Sequence, residues 1–163
     1  MALAKEEIVV PFANSELENV VLPEGLTELN TSAFGGCTKL KQVTLPPGLK
    51  SISSRAFQSC SSLTEIEIPD SVEEIGDSAF QNCGSLTEVT GGRRLKKIGY
   101  EAFEYCRKLE SITLSSTIKE FSGSLIFDEC DCLKTAGPSS GDYNIKIGFT
   151  GNIPDMPFAN SEL

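Results

Sequence analysis

The chain has 163 residues, a size typical of a single domain, and its hydrophobic content of 39% is enough to build a core. Its 14 Lys and Arg against 23 Asp and Glu give a net charge of -9, which argues against a nucleic-acid partner. Histidine is absent, and this excludes Ser-His and Cys-His nucleophile pairs, an imidazole general base and an HExxH zinc site.

The N-terminal stretch, MALAKEEIVV, places one Lys beside two Glu and contains no apolar run of signal-peptide length. No part of the chain approaches the roughly 20 consecutive apolar residues that a membrane-spanning helix needs. We therefore expect either a cytosolic protein or a leader that lies outside this sequence.

A 23-residue period then dominates the chain. It is carried by three residue types, at Leu17, Leu40, Leu63, Leu86 and Leu109; at Phe34, Phe57, Phe80 and Phe103; and at Cys37, Cys60, Cys83 and Cys106. This self-similarity predicts a solenoid, because a unit of this size buries its apolar face only by stacking on its neighbours.

The third copy, LTEIEIPDSVEEIGDSAFQNC over residues 63–83, shows the pattern most fully. Ile66 and Ile68 alternate with Glu65 and Glu67, which predicts a short strand with one buried face and one wet face. Pro69 has no N–H to donate and turns the chain out of that strand.

The second half of the copy is predicted to return to the core. Val72 and Ile75 are expected to be buried, and Asp77 or Ser78 to cap a single helical turn that carries inward Ala79, Phe80 and Cys83. Each copy is then one coil of a right-handed superhelix, with its strands about 4.8 Å apart in a parallel sheet. The bulkier outer side curves the stack and places the sheet on the concave face.

The other copies follow the same template. They read LENVVLPEGLTELNTSAFGGC, LKQVTLPPGLKSISSRAFQSC and LTEVTGGRRLKKIGYEAFEYC, and the fifth reads LESITLSSTIKEFSGSLIFDEC. The fourth copy has Gly91-Gly92 where we place Pro69-Asp70 of the third. The fifth has one inserted residue before Phe127.

The shared pattern, LxxIxIPxxVxxIGxxAFxxC, closely resembles the BspA-like, or Treponema pallidum type, leucine-rich repeat, over residues 17–133. The resemblance implies a leucine-rich-repeat solenoid that is β-rich, with short helical or 3-10 turns outside the concave sheet. It also implies a place in a larger secreted or cell-surface protein, of a family associated with adhesion to host components, matrix or other microbes.

Beyond residue 133 the period is lost. Residues 138–142 read as an exposed loop and 144–149 as one more strand. The heptapeptide PFANSEL occurs at 11–17 and again at 157–163, so we expect a larger unit of about five repeats plus a spacer. We therefore interpret 1–163 as one repeat domain (regular repeats 17–133, spacer and partial repeat 134–163) from a longer array, whose open C-terminal edge can pair end to end with another chain.

The cysteines are predicted to form a buried, reduced ladder. Stacked side chains leave their Cβ atoms near 5 Å apart, beyond the roughly 3.8 Å that a disulfide prefers. Cys132 lies off the ladder and is either exposed and reactive or paired near the fifth copy. A zinc site from Cys106, Cys130 and Cys132 lacks a convincing fourth ligand.

Two charged clusters have a functional and a structural interpretation. Arg93, Arg94, Lys96 and Lys97, with Arg107 and Lys108 a turn later, could dock an acidic partner or sulfated glycan, but we favour a solvated loop. Asp128, Glu129 and Asp131 invite a calcium hypothesis, yet their spacing supplies too few oxygen ligands, and we favour simple solvation.

The outward positions of the concave sheet are the candidate protein-binding residues. They are Lys41, Gln42, Thr44, Thr64, Glu65, Glu67, Thr87, Glu88, Thr90, Glu110, Ser111 and Thr113, preceded by Glu18, Asn19 and Val21. This surface lacks Trp, Tyr and Arg anchors, so one segment should bind weakly and an array by avidity.

The sequence thus predicts a non-enzymatic protein-binding module of a microbial cell-surface or secreted protein that adheres to host or matrix proteins. It predicts no cofactor, no metal and no nucleic-acid partner. The alternative is a structural spacer that projects another domain and binds nothing itself.

Overall fold

A computed structural model of the chain describes residues 12–115, 117–123 and 125–137. Within these ranges the chain forms eleven short strands and no helix. The strands are β1 (Asn19–Val21), β2 (Glu28–Leu29), β3 (Gln42–Thr44), β4 (Ser51–Ile52), β5 (Glu65–Ile68), β6 (Glu74–Ile75), β7 (Glu88–Gly91), β8 (Lys97–Ile98), β9 (Ser111–Thr113), β10 (Glu120–Phe121) and β11 (Thr135–Gly137). The loop and strand predicted at 138–149 and the second PFANSEL lie outside the described residues, as does any edge beyond β11.

The strands alternate between two faces of a parallel-strand solenoid. The front sheet contains β1, β3, β5, β7, β9 and β11, and it is the concave sheet that the sequence predicts. The back sheet contains β2, β4, β6, β8 and β10 in that spatial order. The sequence analysis missed the back sheet, because strands of two residues are too short to show an alternating pattern.

The register of the front sheet aligns equivalent positions of consecutive coils. Ile66 pairs with Val89, and Ile68 with Gly91, so Gly91-Gly92 replace Ile68-Pro69 and not Pro69-Asp70 as we predicted. Gly91 has φ +84°, and a Cβ there would overlap the Ile68 carbonyl oxygen. Glycine is therefore required by both backbone conformation and close approach.

The predicted helical turn around Ser78 is wrong. Ser78 has φ 54°, in the left-handed region, and its N–H donates to the Tyr100 carbonyl of the next coil at 2.8 Å. The Phe80 and Asn82 amides donate in the same way to Ala102 and Glu104, at 2.8 and 2.9 Å. These amides bond between coils and are not available for i to i−4 bonds, so the turns form a third ladder, which we call the turn column.

The core is built around a column of stacked aromatic rings. Consecutive ring centroids are 5.2 to 5.5 Å apart, with interplanar angles of 3 to 13°. The column contains Phe12, Phe34, Phe57, Phe80, Phe103 and Phe127. The residue inserted before Phe127 does not interrupt it, because the extra length is taken up outside the column.

The first ring of the column reveals a coil that the sequence analysis missed. Phe12 stacks on Phe34, the Asn14 N–H donates to the Gly35 carbonyl at 2.8 Å, and the Ser15 Oγ lies 3.3 Å from the Cys37 Sγ. Ser15 thus stands where later coils have cysteine, at a spacing of 22 residues. Residues 12–17 therefore occupy the place that the closing end of a repeat has in the later coils.

Candidate functional site

The candidate binding residues lie where the sequence places them, on or just before the front strands. The pattern along β5 is strictly alternating: Glu65 and Glu67 are exposed, and Ile66 and Ile68 are each 3% exposed. Every other candidate is exposed or half-buried: Lys41, Gln42, Thr44, Thr64, Thr87, Glu88, Thr90, Glu110, Ser111 and Thr113. Their accessibility agrees with the sequence analysis, and their role in binding stays a prediction.

The front sheet is interrupted between β3 and β5. These strands lie in contact, but the parallel ladder pairs β1 with β3 and then resumes from β5 to β7, β9 and β11. A shallow groove crosses the sheet at the interruption. It is lined by Gln42, Thr44, Glu65, Glu67, Glu88 and Thr90, all of which are candidate binding residues.

The groove extends to the ends of the front strands, where its lining becomes more apolar. Leu45, Pro47, Ile68 and Pro69 line this part, together with Gly91. At the position of Gly91, the preceding coil has Ile68. The fourth coil lines this end of the groove with Thr90, Gly91 and Arg93.

Three carboxylates beside the groove have no cationic partner. Among the described residues, the side-chain carboxylates of Glu65 and Glu67 take part in no hydrogen bond or ion pair. Glu88 accepts one long hydrogen bond, at 3.5 Å, from the Ser111 Oγ. Glu65 lies directly opposite Glu88 in the parallel register, at the strand spacing of about 4.8 Å. Like charges in this position are destabilising.

Elsewhere on the described surface there are ion pairs, and each of them joins one coil to the next. On the front sheet Lys41 pairs with Glu18 at 2.8 Å and Lys134 with Glu110 at 3.8 Å. The Lys41 ammonium also lowers the pKa of Glu18 through its hydrogen bond. The carboxylates of the groove are thus an exception on their own face.

The basic patch of the fourth coil is neutralised by acidic residues of adjacent coils. The Lys96 ammonium lies 2.7 Å from Glu73, and its hydrogen bond lowers the pKa of Glu73. The remaining pairs are Arg93–Asp70 at 3.8 Å, Arg94–Glu73 at 4.0 Å, Lys97–Glu74 at 3.4 Å and Lys97–Glu120 at 3.6 Å. This geometry supports the structural interpretation over docking of an acidic partner.

The acidic cluster of the last coil is bound by Arg107. Its guanidinium lies 2.8 Å from Glu129 and 3.1 Å from Asp131. Within the described ranges, no group of three or more His, Cys, Asp or Glu residues is arranged to hold a metal ion. Arg107 therefore supplies the positive charge that the calcium hypothesis would assign to a metal.

The cysteine ladder is built as predicted, from buried free thiols. Each ladder thiol donates to the carbonyl of the phenylalanine in the preceding coil, for example Cys60 to Phe34 at 3.2 Å and Cys83 to Phe57 at 3.1 Å. Burial raises the pKa of Cys60 to about 12, so the thiol stays protonated and is no nucleophile at neutral pH. Cys132, off the ladder, is half-buried.

The family model for the BspA type leucine rich repeat region matches residues 10–134 in six copies. The chain belongs to this BspA type leucine-rich-repeat family. The matched range begins at residue 10 and so includes the segment around Phe12 that stacks on the aromatic column. No curated protein matches the chain.

Solved structures of bacterial proteins share the BspA type solenoid. A leucine-rich repeat protein of T. pallidum is 36% identical over 72% of this chain and 57% of its own, with a TM-score of 0.68. The pneumococcal vaccine antigen PcpA is 32% identical over 75% of this chain and 31% of its own, with a TM-score of 0.65. A leucine-rich repeat protein from Bacteroides ovatus, 24% identical over 91% of this chain and 42% of its own, shares the fold at a TM-score of 0.60.

The BspA type chain therefore spans little more than half of the T. pallidum protein and less than half of the other two. No helix within the described residues has both the length and the apolar character to cross a membrane.

The sequence analysis of this BspA type repeat missed the groove. The signals available were Gly91-Gly92 and the replacement of Lys by Thr64 and Thr87 in the central coils, but neither predicts where a ladder is interrupted. That interruption depends on how whole coils stack.

Proposed function

We propose that this domain is a non-enzymatic protein-binding module of a microbial cell-surface or secreted protein, and that it adheres to host or matrix proteins through the front sheet. The observation that carries the proposal is the set of carboxylates around the groove that have no cationic partner among the described residues, on a face where Glu18 and Glu110 pair with lysines of adjacent coils. Such an arrangement costs stability in the free protein, and a bound partner would offset that cost.

The family and its solved members support the proposed location. BspA type repeats form the matched region, and one related solved structure is a pneumococcal vaccine antigen. A vaccine antigen is accessible to the host, which fits a protein displayed at the surface or secreted.

The chemistry of the chain supports a non-enzymatic role. It has no histidine, and burial raises the pKa of Cys83 and Cys106 well above the usual value of a thiol. The front sheet presents Thr and Glu rather than large aromatic anchors, so a single domain should bind weakly and several in series should bind by avidity.

Solid-phase binding of the purified chain to a panel of matrix and mucosal proteins, at physiological salt, tests this function. A Thr44→Tyr variant places a bulky neutral side chain in both parts of the groove. Its matched control is Ser51→Tyr on the back sheet. We expect saturable binding that Thr44→Tyr weakens by about tenfold and that Ser51→Tyr leaves intact.

Two results would contradict the proposal. Equal binding by Thr44→Tyr and wild type would move the site away from the front sheet. Absence of binding to every protein of the panel, even by a tandem duplicate, would favour the spacer, a role that the continuous coil-to-coil ion pairs would also suit.

A further inference from the structure

We infer that the front-sheet groove binds a lysine- or arginine-rich segment of its protein partner. This inference rests on the proposed function, because it names the chemistry of the partner at the same face. Three features support it: the charges around the groove, the side chains that line it, and the lysine–glutamate ion pairs of the neighbouring coils.

The positions just before each front strand differ in charge from coil to coil. Two of them hold lysines, and Lys41 and Lys134 pair with the acids Glu18 and Glu110 of adjacent coils. In the two central coils the equivalent positions hold Thr64 and Thr87, which carry no charge. This repeat position therefore carries no cation in the two described coils where the carboxylates are most concentrated, and Arg93, which lines the end of the groove, is paired with Asp70.

The carboxylates in these central coils are close enough to act on one ligand. Glu65 and Glu88 are register partners on adjacent strands, and Glu67 lies two residues along β5 on the same face. All three are exposed and line the groove. Their mutual repulsion is relieved by a cation from outside the chain, since no described side chain supplies one.

The lining of the groove fits a long basic side chain rather than a compact cation alone. Beyond the carboxylates, Pro47 and Pro69 provide apolar surface toward the strand ends, where Arg93 also lines the groove and is paired with Asp70. Lysine and arginine bury their methylene stems against such surface while the charged end stays at the polar rim. An extended basic segment can therefore contact both parts of the groove.

Fluorescence anisotropy with a labelled peptide that alternates lysine and alanine tests this inference, at physiological salt. The comparison probe is the peptide that alternates glutamate and alanine. The groove variant is Glu65→Gln with Glu67→Gln. The matched control is Glu24→Gln with Glu28→Gln, which also neutralises two exposed glutamates that form no ion pair with any residue the structure describes, one of them on the back sheet.

We expect the wild-type chain to bind the lysine peptide and not the glutamate peptide. The groove variant should bind about three- to tenfold more weakly, and the control within about twofold of wild type. Both variants should keep the wild-type melting temperature or exceed it, because the changes remove charge repulsion and no contact.

Equal weakening in both variants would overturn the inference, since the peptide would then respond only to the net charge of -9. Failure of the wild type to bind the lysine peptide would overturn it as well. Neither result would refute the proposed function. If Thr44→Tyr abolishes binding to a matrix protein that the lysine peptide does not displace, the face binds a partner of different chemistry.

Discussion

At the scale of single residues, the phenylalanine column shows how position in the stack sets the importance of a side chain. Phe80 is fully buried between the rings of Phe57 and Phe103. Phe12 occupies the equivalent place at the end of the described column, where it is 38% exposed and stacks on Phe34. The same side chain therefore has two rings as neighbours in one coil and one described ring in the other.

Replacement of Phe80 by Ala should reduce the free energy of unfolding by about 3–5 kcal/mol, because it leaves a cavity between two rigid coils. The control is Phe12→Ala, which should cost clearly less since its ring is already partly in water. Urea unfolding followed by far-ultraviolet circular dichroism measures both. Similar losses in the two variants would show that the column is not a continuous core.

Single residues also show what the sequence can predict and where it fails. The buried and exposed positions of β5 follow from an alternation with period two, which the sequence displays directly. Gly91-Gly92 can be aligned with the third copy in two ways, and only the register with Ile68 decides between them. Backbone conformation, not residue type, carries that information.

At the scale of elements, the turns differ most from expectation. A segment such as Asp-Ser-Ala-Phe has the composition of a helix start, and an isolated chain could form one turn. In the solenoid the Asp77 carboxylate instead accepts the N–H of Tyr100 in the next coil, at 2.8 Å. Stacking overrides the local preference, because every second amide of the turn finds its partner in a neighbouring coil while the amides between them bond three residues back, as Gln81 does to Ser78.

The turn column also holds a buried carboxylate. Glu104 is 7% exposed, and one of its oxygens accepts a hydrogen bond from the Gln81 side chain of the preceding coil. Burial raises the pKa of Glu104, and the nearby charges of Glu101, Asp128 and Glu129 raise it further, while the Gln81 hydrogen bond opposes the shift. Ionisation of Glu104 therefore costs more free energy in the folded chain than in the unfolded chain.

The Glu104→Gln variant should melt at a higher temperature than wild type at neutral pH. Because the pKa of Glu104 is raised in the folded state, this group stabilises the fold fully at pH values below its unfolded-state pKa. That stabilisation is lost as the pH rises through the folded-state pKa. The advantage of the variant should therefore disappear in acid, where wild-type Glu104 is protonated. Thermal melts from acid to neutral pH measure it, with Glu28→Gln as the exposed control. A variant that melts below wild type at neutral pH would contradict this account.

At the scale of the whole molecule, contacts between coils are contacts between sequence neighbours. Each described ion pair and each step of the ring column links one coil with the next. Stability is then a sum of coil and interface contributions, so terminal coils are held from one side only.

Backbone hydrogen exchange should therefore be graded along the stack. We expect amides of β1 to exchange at least about tenfold faster than those of β7, because β1 pairs with one described strand and β7 with two. Exchange measured by mass spectrometry or NMR under native conditions resolves the gradient. Equal protection of β1 and β7 would instead indicate that the whole stack opens at once.

The whole-molecule architecture was the easiest feature to predict, and the candidate site only partly so. The 23-residue period specifies a stack whatever its local turns, which is why the solenoid and its front face were predicted. The groove depends on an interrupted ladder between β3 and β5, and nothing in the sequence of either strand encodes it. The unpaired carboxylates became visible only when the ion pairs of Glu18 and Glu110 on the same face were known.

The turn column gives the solenoid an electrical polarity. In its backbone hydrogen bonds between described coils, each N–H points toward the next coil. The Ser32 N–H, for example, donates to the Ser54 carbonyl, and the Tyr105 N–H donates to the Asp128 carbonyl. Aligned peptide dipoles of about 3.5 D each add along the stack, whereas those of a β-sheet largely cancel. The positive end lies toward the C-terminal coil, opposite to an α-helix. The acidic residues Asp128, Glu129 and Asp131 stand at that end, where this field stabilises negative charge.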